Sequence, residues 1–376
     1  MREDLVKVLK CPETGADLSL VHVGQWFELD GIRHVVDGVL ASSEGPDYPI
    51  LDEIPQLVPR RWIKDDESAY LDAKRDGWEL SWDAAHKVSP EIFSDEDLEA
   101  EIRRRMEGQY RLTDDSPELT RRRCEGEVRY MLSEARGTNK AKYVKVLAPH
   151  VNSARTILET GGNFPGLTRS LATRYEPSLA VVANIQILFP KAFKTARRNI
   201  QPVRADVQAL PFKSKSFELV ASGFMLEHVP DWKAGLRCMM DAGEQVFLAF
   251  GPNKWFPFEV GHINAPLAGT LPKPLAAYVA WVWLAALGRR RPMHRIRDIL
   301  GEVFHVGSGA FRREVVRLGG KPRNLFPEII RIIIHDRNAP PTGPRKLLKR
   351  FPKLSDFAAR SLTALGMEPQ IYYLID

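Results

Sequence analysis

The stretch that decides the fold is TILETGGNFPG, residues 156–166, which reads as an apolar strand, a loop of small residues and the start of a helix near Pro165. A second apolar run, Leu179 to Ala183, follows and ends at Asn184. A strand, a glycine loop and a helix that open a βαβ unit bring bare backbone to a helix N-terminus, where a nucleotide-like ligand can approach. The stretch therefore predicts a parallel α/β sheet with a ligand site at the ends of its strands.

A longer motif, ADVQALPFKSKSFELVASGFMLEHVP, occupies residues 205–230. It closely resembles the middle of the class I S-adenosylmethionine (SAM) dependent methyltransferases, and the resemblance extends over residues 151–376. It implies a Rossmann-like α/β fold, with a seven-stranded, mostly parallel sheet and helices on both faces. It also implies SAM as the cofactor.

The loop after the first strand departs in part from the family pattern, in which an acid is followed by spaced glycines. Glu159 and Gly161 match, whereas Asn163 and Pro165 replace the later glycines. Asn tolerates left-handed backbone and Pro is favoured at the start of a helix, so we expect the loop to keep its shape. The resemblance then implies a cofactor-binding set of Glu159, Gly161, Gly162, Asn163, Asn184, Asp206, Val207, Ser222 and Gly223.

Asn184 stands where the family places an acid that accepts both ribose hydroxyls. We expect this change to weaken binding by about 1 to 3 kcal/mol, because a charged hydrogen bond is lost. The alternative is that Asn184 only caps a helix beginning at Ile187. Asp206 matches the position where the family's acid meets the adenine amino group, next to the Val207 backbone.

Three residues are candidate catalytic groups on the acceptor side. His228 lies in the motif and is a candidate general base because imidazole titrates near neutrality. Glu259 and His262 follow the Gly251-Pro252-Asn253 loop, which resembles the family's substrate mouth. For all three, a structural role in a turn or cap is the alternative. We identify no set of metal ligands in the sequence.

Residues 1–60 resemble the small zinc-ribbon-like module that activates some methyltransferases. A closed structural zinc site needs four Cys or His ligands, and here Cys11 alone remains, with Thr14 or Gly15 and Ser42 and Ser43 at the other positions. We therefore interpret residues 1–60 as a metal-free relic of that module, with an unrelated β-hairpin leader as the alternative.

Residues 61–150 are charged and show helical periodicity in 97–106 and 118–133, which predicts a helical linker or lid over the cofactor cleft. The arginine runs 103–105 and 121–123 are balanced by nearby acids. They therefore favour solvated helix faces, and nucleic acid is not an expected partner.

Leu275 to Leu287 is an unbroken apolar run followed by Arg289-Arg290-Arg291. At about 1.5 Å per residue the run spans roughly 20 Å, which is too short to cross a bilayer. Two interpretations stay open for residues 275–291: a helix that caps the substrate cavity, or an interfacial helix that makes peripheral contact with anionic lipid.

The C-terminal part shows five further patterns. They predict a helix from Ser308, as N-cap, to Leu318, a strand over 328–334, a loop over 340–344, a helix over 355–365 and a final strand over 370–375.

The chain has 376 residues, a net charge of +6 and three well-separated cysteines. These features suit two or three domains in a reducing compartment, and the N-terminus shows no signal-peptide pattern. We predict a cytoplasmic SAM-dependent methyltransferase, with the domain at 151–376, that acts on a small-molecule or lipid acceptor. The alternatives are an inactive methyltransferase-like binding protein and an RNA methyltransferase. The oligomeric state is not predicted.

Overall fold

The computed structural model describes residues 1–60, 85–110, 117–195, 200–289, 291–335 and 350–376. These form two compact units. Unit 1 contains Met1–Ala141, Ser153–Val220 and Asp241–Glu244, and unit 2 contains Lys142–Asn152, Ala221–Met240 and Gln245–Asp376. The domain boundaries at residues 60 and 150 stay predictions. The loop predicted at 340–344 lies outside the described residues.

The described strands are β1 (Leu18–Leu29), β2 (Ile32–Ser42), β3 (Tyr48–Leu51), β4 (Ile54–Leu57), β5 (His86–Lys87), β6 (Thr156–Thr160), β7 (Leu179–Asn184), β8 (Ile200–Ala205), β9 (Phe217–Gly223), β10 (Gly243–Phe250), β11 (Pro322–Asn324) and β12 (Ile371–Ile375). The described strands number twelve, which differs from the seven that the resemblance implied, and seven of them lie from residue 156 onward. The first five precede them and belong to the N-terminal part.

The described α-helices are α1 (Asp95–Tyr110), α2 (Pro117–Arg136), α3 (Ala141–Leu147), α4 (Gly166–Tyr175), α5 (Trp232–Ala242), α6 (Lys273–Ala286), α7 (Met293–Glu302), α8 (Ser308–Arg317), α9 (Phe326–His335) and α10 (Pro352–Leu365). Both periodic segments of 61–150 form the predicted helices, α1 and α2. Short 3-10 helices occur at Glu3–Val8, Pro190–Phe193, Val207–Ala209 and Leu226–His228.

Three neighbouring parallel strands, β6, β7 and β8, form the centre of unit 1. Thr160 pairs with Ala183, and Asn184 pairs with Arg204. Strands β6 and β7 are buried over nearly their whole length, as expected for parallel strands covered on both faces. Because the strands run in the same direction, their carboxyl ends meet at one edge of the sheet.

The N-terminal strands extend this sheet. Strands β1 to β4 form an antiparallel meander, and the turn between β1 and β2 places Asp30 and Gly31 at positive φ, as a tight hairpin turn requires. Strand β4 then pairs in parallel with β8, with Leu57 opposite Ala205. Residues 1–60 therefore share one compact unit with the βαβ stretch.

Helices α1 and α2 pack in unit 1 against the glycine loop and the loop after β7. Their shared core contains Ile102 and Val128 together with Phe164 and Phe189. The rings of Phe164 and Phe189 are stacked, with centroids 4.6 Å apart. The helical segment predicted as a lid is thus anchored to the loop that follows β6.

In unit 2, the final strand β12 lies between β10 and β11 and is antiparallel to both. This confirms the predicted strand at the end of the chain. Helix α6 confirms a helix over the apolar run and packs its alanine face on α7. No helix in the part of the chain that the structure describes is long and apolar enough to cross a membrane.

The strand predicted at 328–334 is wrong, because these residues belong to helix α9. The Asn324 side chain accepts a hydrogen bond from the Phe326 N–H at 2.9 Å, which satisfies a donor of the first turn. Arg331 then forms an ion pair of 2.9 Å with Asp356 of α10. Capping and tertiary packing therefore override the strand preference of the isoleucines.

The N-cap predicted at Ser308 is also wrong. The N-cap of α8 is Gly307, which makes no side-chain capping bond. The Ser308 hydroxyl instead donates to Glu368 at 2.6 Å and lies 3.0 Å from the Tyr373 hydroxyl. This side chain ties the start of α8 to the C-terminal strand.

Candidate functional site

The glycine loop after β6 is fixed at both of its glycines. Gly161 has φ +82°, and its N–H donates to the Ala183 carbonyl at 2.8 Å. A Cβ at Gly162 would lie 2.8 Å from Glu159 Oε1 and 2.9 Å from Val182 Cγ1. Since a side chain does not fit at that contact distance, the loop needs glycine at both positions, and its backbone stays bare.

Glu159 is buried beneath this loop. Its Oε2 accepts hydrogen bonds from the N–H of Thr168 at 2.9 Å and from the Thr168 hydroxyl at 2.6 Å. The N–H lies in the first turn of α4, where backbone donors have no partner within the helix. Burial raises the pKa of Glu159 to about 7, although the Thr168 bonds oppose the shift. Glu159 therefore holds strand, loop and helix together.

Asn184, at the end of β7, is joined to the glycine loop. Its Nδ2 donates to Asn163 Oδ1 at 2.7 Å, and its Oδ1 accepts from the Ile185 N–H at 2.9 Å. No helix begins at Ile187, so the capping alternative is wrong. A carboxamide carries two N–H donors and two acceptor lone pairs, so Asn184 retains one of each for a ligand.

Asp206 follows β8 directly and begins the 3-10 helix Val207–Ala209. Its Oδ1 accepts from the Gln208 N–H at 2.7 Å, and the Gln208 side-chain nitrogen lies 3.2 Å from the same oxygen. The side chain is buried. The local turn thus fixes the carboxylate at the same sheet edge as the glycine loop and Asn184.

Helix α2 approaches the start of α4 at backbone distance. A Cβ at Gly166 would lie 1.7 Å from the Glu134 carbonyl oxygen, and one at Gly137 would lie 2.3 Å from the Gly166 carbonyl oxygen. The Glu134 carboxylate also pairs with Lys140 at 2.8 Å. These contacts fix the helical segment beside the glycine loop.

Ser222 and Gly223, the remaining predicted cofactor residues, belong to unit 2 and end strand β9. Ser222 is buried and Gly223 is half-buried. Their place in a cofactor site stays a prediction.

On the acceptor side, Glu259 is a buried carboxylate whose oxygens are both occupied. Oε1 accepts from His262 N–H at 3.1 Å and lies 3.0 Å from His262 Nδ1, and Oε2 accepts from the N–H groups of Ile263 and Asn264 at 2.8 Å each. Burial would raise the pKa of Glu259, but these bonds outweigh it and hold the pKa below its usual value. The contacts of Glu259 therefore suit it to orient His262 and not to accept a proton.

His228 lies close to His262, with ring centroids 5.2 Å apart in an edge-to-face arrangement. His228 Nδ1 is 3.1 Å from the Glu302 carbonyl oxygen. His228 is exposed overall, but partial burial of its ring lowers its pKa, which favours the neutral ring. The structure thus brings together all three predicted catalytic residues, His228, His262 and Glu259.

Two further titratable side chains near these residues, Glu227 and His305, were not predicted from the sequence. Glu227 is almost completely buried, and its Oε2 has no hydrogen-bond partner among the described residues. Burial raises the pKa of Glu227 to about 8. The Nε2 atom of His305 is likewise buried and has no hydrogen-bond partner in the part of the chain that the structure describes. Only the side-chain packing reveals these two, since neither has a distinctive spacing in the sequence.

Residues 160–242 match the family model described as a methyltransferase domain. No curated protein matches the chain significantly.

Several solved structures are similar at low identity. One is the Haemonchus contortus phosphoethanolamine N-methyltransferase 2, solved with phosphomonomethylethanolamine and S-adenosylhomocysteine. It is 13% identical to this chain, with a TM-score of 0.38. The match covers 63% of this chain and 51% of that one. This chain thus spans about half the length of that enzyme. The plantazolicin methyltransferase BpumL is 7% identical, with a TM-score of 0.39, over 75% of this chain and 96% of that one. A SAM-dependent methyltransferase structure from Methanococcus maripaludis is 18% identical, with a TM-score of 0.29, over 33% of this chain and 62% of that one.

The family match starts at the last residue of β6 and ends with α5, so it contains most of the glycine loop, Asn184, Asp206 and the 205–230 motif. Residues 160–242 are therefore similar to a methyltransferase domain.

Proposed function

We propose that the chain binds SAM at the carboxyl ends of β6, β7 and β8 and transfers its methyl group to a small-molecule acceptor. The supporting observation is that the glycine loop, Asn184 and Asp206 follow three adjacent parallel strands within the region of the family match. Open α/β sheets bind their ligands at this edge.

Each residue has a proposed role toward the cofactor. Gly161 and Gly162 present bare backbone to the methionine part of SAM, and Asn184 binds the ribose with the donor and acceptor that it retains. Asp206 accepts from the adenine amino group beside the Val207 backbone. Glu159 acts beneath the loop by holding it against α4.

Methyl transfer is an in-line displacement at a sulfonium methyl group, so the protein mainly has to align the nucleophile and exclude water. We propose that His228 and His262 are the polar groups that face the acceptor and that Glu259 positions His262.

The test is isothermal titration of the chain with SAM and with S-adenosylhomocysteine. We expect saturable binding of both, and Asp206→Ala should weaken it roughly 5- to 150-fold because a charged hydrogen bond worth about 1 to 3 kcal/mol is lost. Asp17→Ala, an exposed acid of the same unit, is the matched control. No binding at millimolar ligand would reject the proposal.

The acceptor itself is then found by incubating cell extracts with isotope-labelled SAM and the protein, followed by mass spectrometry. A labelled product of low molecular mass that appears only with the active protein supports the proposal. Label found only in RNA or protein would reject a small-molecule acceptor.

We further propose a lipid-like acceptor reached through peripheral membrane contact. Helix α6 exposes apolar side chains on its outer face, including Tyr278, Trp281 and Val282, and the exposed Arg289 and Arg291 follow it. An apolar face beside cationic residues suits an anionic bilayer surface. Co-sedimentation with vesicles containing phosphatidylglycerol tests this, and Trp281→Glu should abolish it. Equal sedimentation of both proteins would reject it.

A further inference from the structure

Glu227, His228 and His262 form a compact group in unit 2. One potential metal-ligand atom from each residue lies within 4.8 Å of those from the other two. Within the described residues it is the one group of at least three His, Cys, Asp or Glu side chains arranged in this way. The chain brings it together from two segments, the 3-10 helix Leu226–His228 and the loop after β10.

Both histidine rings have a hydrogen-bond acceptor at Nδ1, which leaves Nε2 as the nitrogen available to a metal ion. The Glu302 carbonyl can only accept a hydrogen bond, so His228 Nδ1, at 3.1 Å, carries the proton. His262 Nδ1 faces the Glu259 carboxylate at 3.0 Å, which also accepts. In each neutral ring the lone pair is then on Nε2. Metal-binding histidines commonly have this second-sphere partner, a carbonyl or carboxylate at the opposite nitrogen.

Glu227 adds a carboxylate that its surroundings satisfy only in part. The side chain is 1% exposed, and Oε2 is buried with no partner among the described residues. A buried polar atom without a partner costs about 1 to 3 kcal/mol, and more when the group is charged. A bound cation would remove that cost.

We propose that Glu227, His228 and His262 bind one divalent transition-metal ion, with zinc as the best-matched member of the class. Two imidazole nitrogens and one carboxylate oxygen are a ligand set of three that leaves a fourth tetrahedral position open. Ligand atoms around such an ion are about 3.3 Å apart, since each bond is about 2.0 Å. The ligand atoms here lie within 4.8 Å of one another, so metal binding requires the side chains to rotate closer together.

The open position gives this site a role that deepens the proposed function and rests on it. A metal ion there would bind an oxygen or nitrogen atom of the methyl acceptor and favour its deprotonation. His228 and His262 would then act as ligands and not as proton acceptors, with Glu259 and the Glu302 carbonyl orienting them.

The test uses the full chain stripped of metal with a chelator and titrated with Zn²⁺ by calorimetry and with Co²⁺ by visible absorption. We expect one ion per chain and the intense d–d bands of tetrahedral Co²⁺. His228→Ala and His262→Ala should each weaken binding at least about 10-fold, whereas His294→Ala, an exposed histidine of the same unit, should not.

Thermal unfolding distinguishes a variant that has lost metal binding from a variant that does not fold. Saturating Zn²⁺ should raise the melting temperature of the wild type and of His294→Ala, because the ion binds only the folded state. It should not raise that of a folded Glu227→Gln variant. The proposal is overturned if no ion binds at millimolar concentration, or if binding is unchanged in all three ligand variants. If the protein binds the metal ion but not SAM, the metal site is supported and only the proposed function is rejected.

Discussion

At the scale of single residues, Asn163 and Asn184 replace two family residues as a pair. The hydrogen bond of 2.7 Å between their carboxamides links the glycine loop to the end of β7. In the family pattern a glycine and an acid stand at these positions, and no such link between side chains is available. The two departures from the pattern therefore compensate one another structurally, while the site loses a negative charge.

The first prediction restores that charge. Asn184→Asp should strengthen SAM binding roughly 5- to 150-fold, because a carboxylate accepts from both ribose hydroxyls and the Asn163 carboxamide can rotate to donate to it. Isothermal titration measures the change. Gln186→Glu adds the same charge two residues further along an exposed loop and should have little effect. Unchanged or weaker binding by Asn184→Asp would contradict ribose recognition at this position.

The second prediction concerns Glu159. Its pKa is raised from 4.5 to about 7, so the folded state retains a proton that the unfolded state has released between these two values. The free energy of unfolding should therefore fall as the pH rises from about 4.5 to 7, by on the order of 3 kcal/mol. Glu159→Gln mimics the protonated side chain and should remove this dependence.

Urea denaturation of both proteins at intervals between pH 5 and pH 8 measures the difference. We expect the variant to be the more stable protein at pH 8 and about equal at pH 5. If the two stability profiles run parallel over this range, Glu159 is ionised in the folded protein and the assignment is wrong.

At the scale of elements, the packing of α2 on α4 leaves no room for a side chain at Gly166. The third prediction is that Gly166→Ala destabilises the protein by about 3 kcal/mol, because the added Cβ would meet the Glu134 backbone and the two helices must separate. Gly126→Ala, in the exposed middle of α2, should instead stabilise it by about 1 kcal/mol. Denaturation midpoints report both values, and equal effects would contradict the close approach.

The helices and strands that could be predicted are those whose residue pattern is compatible with only one type of secondary structure. Strands β6 and β7 have continuous apolar runs before polar residues, and α1 and α2 have a clear helical period, so all four occur as expected. The isoleucine run at 328–334 fits a strand or a buried helix equally well. There the outcome depends on the Asn324 cap and the Arg331–Asp356 pair, which exist only in the folded protein.

The residues of the candidate sites also differ in whether a local sequence pattern or tertiary packing reveals them. Glycines and polar residues at strand ends follow a local pattern, so the sequence could predict that the loop, Asn184 and Asp206 lie at one edge of the sheet. The partner of Glu159 could not, because Thr168 donates from the next helix. Likewise, Glu227 and His262 are brought together by tertiary packing alone.

At the scale of the whole molecule, the N-terminal strands belong to the same sheet as the proposed cofactor site. Leu57 of β4 pairs with Ala205, the residue just before Asp206. The fourth prediction is that deletion of residues 1–60 lowers the melting temperature and weakens SAM binding, because β8 loses its neighbour and becomes an edge strand. Differential scanning fluorimetry with and without SAM measures both effects. A truncated protein with wild-type melting and affinity would contradict this coupling.

The β4–β8 pairing also constrains how the protein forms during synthesis. Gln56 and Arg204, which face each other in this pairing, are 148 positions apart in the chain. At roughly 5 to 20 residues per second, the ribosome needs about 7 to 30 seconds to produce the second strand after the first. During that interval the nascent meander has an unpaired strand edge, so we expect this stage of biogenesis to be the one at which the protein most needs a chaperone.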